Sequence, residues 1–229
     1  MSINLPRRPS LLRAASLPRL YLLCECLLVF AAFPIGLVTI ARSFAPWLIE
    51  TLVVTGIACI AALLLDPDFD RRRLWNADCL VPGLRRVLLL FLAGAAVVTV
   101  LVLWQRPDLF LAFPRQRTTL WLFVMVFYPL FSVYPQELIF RTFFFHRYSR
   151  VFRSDTALIT ASAIGFGLAH LFFGNWLAPV MSTIGGILFA STYARSRSTL
   201  QSAIDHSLWG DFIFTVGLGW YFYTGSVGA

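Results

Sequence analysis

An apolar run with two opposite charges inside it occupies residues 120–145, which read LWLFVMVFYPLFSVYPQELIFRTFFF. An ionisable side chain at the depth of a membrane costs roughly 2.5 to 3.5 kcal/mol at a helix centre, so it is a functional candidate by default. Glu137 and Arg141 are spaced i, i+4, which places them on one helix face, where they can pair. A buried ion pair that only holds neighbouring helices together is the alternative interpretation of these two residues.

The composition of the whole chain is that of a membrane protein. Of the 229 residues, 59% are hydrophobic and only 13% are charged, whereas soluble domains carry about 25% charged residues. No polar linker divides the chain. We therefore predict an all-α, polytopic helical membrane protein that forms a single integral membrane domain over residues 1–229.

Apolar runs at intervals along the chain predict seven or eight membrane segments. Most of these runs are close to the length of about 20 residues that a membrane-spanning helix requires. The predicted segments cover about 20–41, 46–65, 87–104, 119–134, 136–152, 156–173, 176–193 and 200–223.

The basic residues predict the topology of these segments. The net charge of +8 comes entirely from arginine, because the chain has no lysine. Most arginines lie in connections between apolar runs, which is typical of cytoplasmic loops, and this distribution argues against a nucleic-acid-binding face. Residues 66–86 hold five arginines and are expected in the cytoplasm, whereas residues 105–118 are expected outside. The N-terminus is also expected in the cytoplasm, since it carries Arg7, Arg8, Arg13 and Arg19.

Three further polar residues interrupt the later apolar segments. His170 lies late in its segment and His206 lies early in the last one, while Asp211 lies deeper than His206 in the same segment. Each histidine alone is compatible with a structural hydrogen bond or, for His206, with a position at the water interface. Asp211 must be paired or protonated at that depth. His146 lies among arginines near an interface, and we leave it out of the site.

Together, these groups predict hydrolytic chemistry. A carboxylate and two imidazoles can polarise a water molecule, direct it at an amide carbonyl and stabilise the oxyanion that forms. The same side chains are also ordinary zinc ligands, but no His-Glu-x-x-His motif supports a metal site. No Gly-x-Ser-x-Gly motif and no phosphate-binding glycine loop is present either. We therefore predict hydrolysis without a cofactor, with zinc as the less favoured variant.

The pattern resembles the family of CAAX prenyl endopeptidases and bacteriocin-processing enzymes, which are intramembrane glutamic proteases. This family shows Glu-Glu-x-x-x-Arg, then Phe-x-x-x-His, then a His followed by Asn or Asp. The resemblance covers about residues 118–223, and the motifs occur in the same order. The matching residues are Gln136, Glu137, Arg141, Phe166, His170, His206 and Asp211.

The resemblance implies that the family's first glutamate and first histidine activate water, while the second histidine and its Asn or Asp stabilise the oxyanion. Because this chain has Gln136 in place of that first glutamate, we expect Glu137 to take its role together with His170, and His206 and Asp211 to stabilise the oxyanion. Arg141 is expected to position Glu137. The resemblance further implies a peptide or protein substrate in the lipid bilayer of a bacterial cytoplasmic membrane, and it leaves the oligomeric state open.

The chain departs from the family pattern at two positions, and this keeps other functions open. Gln136 stands where the family has its first, water-activating glutamate, and glutamine cannot take a proton from water. The family usually places an Asn four residues after the last His, where this chain has Gly210, with Asp211 one position later. A catalytically silent relative that binds peptides is therefore one alternative. A proton-coupled transporter with a relay of buried ionisable side chains is another.

Overall fold

The computed structural model describes residues 18–78 and 80–223, so Arg7, Arg8 and Arg13 lie outside the described residues. The described part is helical and contains no β-strand, which confirms the predicted all-α fold. Short 3-10 turns connect the helices. The six main helical elements are α1 Arg19–Leu65, α2 Leu80–Gln105, α3 Thr118–Tyr148, α4 Asp155–Ala169, α5 Leu177–Ser196 and α6 Thr199–Val216.

Five helical runs within residues 18–78 and 80–223 are long and apolar enough to cross a membrane, as an integral membrane protein requires. The predicted number of seven or eight segments is not confirmed. It exceeds five for three reasons. Residues 19–65 and 118–148 are each helical throughout where we predicted two segments, although residues 19–65 reverse direction part-way along. Helix α6 is too polar to count, because Asp205, His206 and Asp211 lie within it.

Helix α1 folds back on itself. Glu25, near its start, binds Arg147 at 2.7 Å, and Asp66, just after its end, binds the neighbouring His146 at 3.0 Å. A straight helix would place Glu25 and Asp66 about 60 Å apart at ~1.5 Å per residue. The reversal lies in residues 38–47, where two 3-10 turns replace regular helix.

Helix α3 continues through two prolines, so the predicted boundary near residue 135 is wrong. Pro129 opens a π-helical turn at Pro129–Val133, and Pro135 lies at the start of the next α-helical turn. Proline has no backbone N–H and leaves a preceding carbonyl without its helical partner, and local π-helical adjustments in membrane helices help to satisfy such groups. A second π-helical turn, Leu138–Phe143, follows Glu137 and contains Arg141. Such turns are frequent at functional sites.

Two other predicted boundaries were also wrong. Helix α2 begins at Leu80 rather than near residue 87, which places Arg85 and Arg86 on the helix instead of in a loop. Helix α6 ends at Val216 rather than near residue 223. Gly217 follows with φ +112°, a left-handed conformation that terminates helices and that residues other than glycine rarely adopt.

The arginine-rich connections lie together at one end of the helix bundle. The Ser198 hydroxyl donates to the carbonyl of Asn76 at 2.6 Å, which joins the α5–α6 connection to the α1–α2 connection. Arg19 donates to the carbonyl of Val151 at 2.9 Å, which joins the start of α1 to the α3–α4 connection. We call this side of the molecule the arginine-rich end.

Candidate active site

Glu137 is fully buried at the centre of a hydrogen-bonded group that joins α3 to α6. Its Oε1 accepts a hydrogen bond from Nδ1 of His206 at 2.9 Å, and its Oε2 accepts one from the Ser202 hydroxyl. Nε of Arg141 lies 3.4 Å from the same Oε2. Both carboxylate oxygens therefore have a partner, which compensates for the cost of burying the charge.

Arg141 is also fully buried, and polar and aromatic groups of α3, α4 and α5 surround it. Its Nη1 donates to the Ser162 hydroxyl at 2.8 Å, and its guanidinium carbon lies 4.9 Å from the centre of the Phe166 ring. Nε and Nη2 have no hydrogen-bond partner within the described ranges. The charge of Glu137 and the faces of the aromatic rings are thus its main compensation.

Aromatic rings fix the orientation of His206. Its imidazole stacks on Phe189 with centroids 4.4 Å apart and an interplanar angle of 14°. Phe166 meets the same imidazole edge-on at 5.4 Å. Because Nδ1 donates to Glu137, Nε2 is left as an acceptor, and it lies 3.2 Å from the hydroxyl of Tyr128.

His170 lies directly after the last residue of α4. Its Nδ1 donates to the carbonyl of Phe166 at 2.7 Å, so its Nε2 is also an acceptor. The ring centroid of Phe166 lies 4.6 Å from that of His170 and 5.4 Å from that of His206. Both histidines therefore contact the same aromatic ring although they differ in position along their helices.

The two histidines border the same cavity, which has a volume of about 700 Å³. His170, His206 and Tyr128 line it, and Glu137 and Arg141 lie behind His206, outside the lining. Most of the remaining wall is apolar, as ligand cavities commonly are. Helices α2 and α5 supply much of this apolar wall, with Val97, Val98, Leu101, Val180, Met181 and Ile184.

Gln136 and Asp211, like Glu137 and Arg141, lie outside the cavity lining. The Gln136 amide donates to the hydroxyl of Ser132 at 2.8 Å and to its carbonyl at 3.0 Å, so it is engaged within its own helix. Asp211 is half-buried, and its Oδ1 has no hydrogen-bond partner among residues 18–78 and 80–223. Of the predicted residues, Glu137, Arg141 and His206 are in direct contact, and His170 shares the cavity with His206.

The structure adds Ser202 and Tyr128 to the residues that we predicted. Ser202 precedes His206 by four positions, so the helical spacing on α6 could have identified it. Tyr128 belongs to an aromatic stretch of α3 in which no sequence signal distinguishes it. Its place depends on Gly210, since a Cβ at position 210 would lie 2.2 Å from Cε1 and 2.5 Å from the hydroxyl oxygen of Tyr128.

The described residues contain no group of three or more His, Cys, Asp or Glu side chains that could hold a metal ion. Both carboxylate oxygens of Glu137 already accept hydrogen bonds, from His206 and Ser202. The zinc variant therefore has no ligand set to support it in this part of the chain, and hydrolysis without a cofactor stays a prediction.

Comparison with known proteins gives a family match over part of the chain. The family model of the type II CAAX prenyl endopeptidase Rce1-like proteins matches residues 117–212. This segment contains Glu137, Arg141, His170 and His206, and the match confirms the resemblance to the CAAX protease family. No curated protein and no solved structure matches the chain.

Proposed function

We propose that this chain, whose residues 117–212 match the CAAX prenyl endopeptidase family, is an intramembrane endopeptidase that cleaves a peptide or protein substrate. The observation that carries the proposal is the Glu137–His206 pair, whose second imidazole nitrogen, Nε2, lies beside the Tyr128 hydroxyl at the wall of an apolar cavity. A carboxylate that binds Nδ1 fixes the tautomer of a histidine and stabilises the imidazolium that forms when Nε2 takes a proton. The family match alone is weaker support, because it covers residues 117–212 only and function has to be argued from the residues of the site.

In the proposed mechanism, His206 is the general base. Its Nε2 accepts a proton from a water molecule in the cavity, and the water oxygen attacks the carbonyl carbon of the scissile peptide bond. Nε2 of His170 accepts a hydrogen bond from the other O–H group of this water and so orients it, and that hydrogen stays on the oxygen. His206 then returns its proton to the leaving nitrogen as the C–N bond breaks, which yields a carboxylic acid and an amine.

Glu137 acts through His206 in this scheme. It is fully buried and lies behind the imidazole, so it holds and polarises His206 rather than touching the water. Arg141 keeps Glu137 ionised by its positive charge at 3.4 Å. This assignment differs from the roles that the resemblance implies, in which Glu137 itself activates water and His206 stabilises the oxyanion.

Tyr128 is the proposed donor to the oxyanion. Its hydroxyl lies at the cavity wall, 3.2 Å from His206 Nε2, and becomes free to donate when water takes that nitrogen. Its ring fills the space beside Gly210. That is the position where the family usually has an Asn, so Tyr128 supplies a donor close to where the Asn amide would lie. Asp211, outside the lining, has no role in this scheme.

The arginine-rich end is proposed to face the cytoplasm. The connections gathered there include those after α1, α3 and α5, and an excess of arginine in short loops marks the cytoplasmic side. The N-terminus is on this side as well, since Arg19 binds the α3–α4 connection.

Mapping of peptide termini in native cells tests the proteolytic function. We expect a set of termini that is present in the wild type and at least about tenfold less abundant in a strain without the protein and in His170→Ala, because water is misoriented without the second acceptor. His146→Ala is the matched control, since His146 binds Asp66 at 3.0 Å, outside the cavity. Identical termini in the wild type and the strain without the protein would reject the proposal.

A catalytically silent relative is the second candidate, because Gln136 replaces the family's first glutamate. The Gln136 side chain lies outside the cavity and donates to a backbone carbonyl, so we expect Gln136→Glu to change the cleavage rate less than about threefold. The new carboxylate faces that carbonyl, which costs about 1 to 3 kcal/mol in the free energy of unfolding. Cleavage of the mapped substrates and thermal unfolding measure the two effects. A gain of more than about tenfold would instead support a silenced enzyme.

A further inference from the structure

A second cavity, of about 330 Å³, lies at the arginine-rich end, away from the catalytic group. The first turns of α2, the end of α5 and the start of α6 form its walls, and it shares no lining residue with the larger cavity. Arg86, Arg195 and Gln201 are among the residues that line it. Neither the fold nor the proposed proteolysis assigns a role to this cavity.

The wall of this cavity, which we call the arginine cavity, carries a net positive charge. Arg86 and Arg195 form no salt bridge with any carboxylate of residues 18–78 and 80–223, although Arg86 lies close enough to the buried Asp205 for their charges to interact. Asp78 also lines the cavity, but it is already paired with Arg72 at 3.0 Å. Two such guanidinium groups are expected to attract an anion.

Gln201 is an independent sign of a binding site. It is only 4% exposed, and its Oε1 has no hydrogen-bond partner in the described part of the chain. A buried amide without a partner costs free energy unless a ligand or water satisfies it. Its side chain passes over Gly83, where a Cβ would lie 1.5 Å from Nε2, so the glycine allows the amide to occupy this wall.

The surroundings indicate what kind of anion fits. Helix α2 carries exposed leucines just after Arg86, with Leu88 39% and Leu89 60% exposed. An anion with acyl chains attached can place its charge in the cavity and its chains along this apolar surface. Basic pockets between membrane helices on the cytoplasmic side bind anionic lipid headgroups in this way.

We propose that the arginine cavity binds the phosphate group of an anionic phospholipid. Arg86 and Arg195 donate to the phosphate oxygens, for which guanidinium geometry is well suited. The Gln201 carboxamide, turned so that its NH2 group faces the cavity, donates a further hydrogen bond. This site does not depend on the proposed protease activity, since no catalytic side chain lines it.

Lipid binding by the full-length protein, delipidated in a neutral detergent, tests the proposal. The probes are dihexanoyl-phosphatidylglycerol, dihexanoyl-phosphatidylcholine and inorganic phosphate, with binding measured by native mass spectrometry and calorimetry. We expect the phosphatidylglycerol to bind about tenfold or more tightly than the other two probes. The double substitution Arg86→Gln/Arg195→Gln is expected to weaken this binding about tenfold or more.

The matched control is Arg150→Gln/Arg153→Gln, which removes the same charge from exposed arginines at the same end of the molecule. It is expected to leave binding unchanged. An equal loss in both double variants would overturn the proposal, because binding would then follow overall surface charge. Inorganic phosphate that binds as tightly as the lipid would overturn the lipid assignment and leave a site for free phosphate. Cleavage is not measured, so the outcome is separate from that of the proposed function.

Discussion

Replacing His206 with Gln is expected to lower the rate of peptide cleavage by about 10²- to 10⁴-fold, the contribution that a positioned general base makes to catalysis. Glutamine is polar and of similar length, but its amide cannot take a proton from water. His206 is the residue whose Nδ1 binds Glu137 at 2.9 Å and whose Nε2 lies at the cavity wall. The loss is expected in kcat rather than in KM, since the histidine acts in the transition state.

The measurement uses purified protein in proteoliposomes and a peptide that spans a cleavage site found by mapping of termini. The same measurement on Glu137→Gln and on Glu137→Gln/His206→Gln completes a double-mutant cycle. If Glu137 acts only through His206, the double variant is expected to lose no more activity than His206→Gln alone, because residues that act as a unit are not additive. Losses that multiply would show that Glu137 has a separate catalytic role, as the family resemblance implies.

Thermal unfolding of each variant separates chemistry from stability. Glu137→Gln leaves the buried Arg141 without its counter-charge, and removing one partner of a buried pair costs about 3 to 5 kcal/mol in the free energy of unfolding. His206→Gln keeps that pair intact and retains a polar group beside Glu137. Its cleavage rate is therefore the cleaner test of the mechanism, and a rate within about threefold of the wild type would reject His206 as the base.

The sequence was sufficient to predict the helical membrane fold, because composition and the length of apolar runs depend on no tertiary contact. The sequence did not predict where one helix ends and the next begins. Pro135 indicates a break by local rules, yet π-helical turns carry α3 through residues 118–148 without one. Whether a helix kinks, widens or restarts at a proline depends on the helices packed around it, and that information is distributed over the whole chain.

The candidate site, like the fold, could be predicted from the sequence only in part. Glu137 and Arg141 share a helix, so their spacing alone predicts that they can pair, and they lie 3.4 Å apart in the structure. His206 joins them from α6 and was selected because a histidine in an apolar segment is unusual and because it resembles the family's third motif. Asp211 was selected for the same reason, but it lies outside the cavity lining. Rarity within an apolar segment identifies candidates without showing which helix face they occupy.

Tyr128→Phe is expected to lower kcat by about 10²- to 10³-fold, the usual effect of removing one donor to an oxyanion. The substitution deletes only the hydroxyl, and the ring still fills the space beside Gly210. Packing is therefore retained, and we expect KM to change little. Tyr134→Phe is the matched control on the same helix, because the Tyr134 hydroxyl donates to the carbonyl of Leu74 at 3.1 Å, outside the cavity.

A rescue variant tests whether an Asn side chain at position 210 can replace the Tyr128 hydroxyl as the donor to the oxyanion. Gly210→Asn alone is expected to abolish cleavage, because a side chain at position 210 collides with Tyr128. In Tyr128→Ala/Gly210→Asn, the space is vacated and the Asn amide can donate to the oxyanion from α6, as the family pattern places it. We expect this double variant to be at least about tenfold more active than Tyr128→Ala alone. If the double variant gains nothing while Tyr128→Phe keeps full activity, Tyr128 only packs against α6, and the oxyanion must be stabilised by another group.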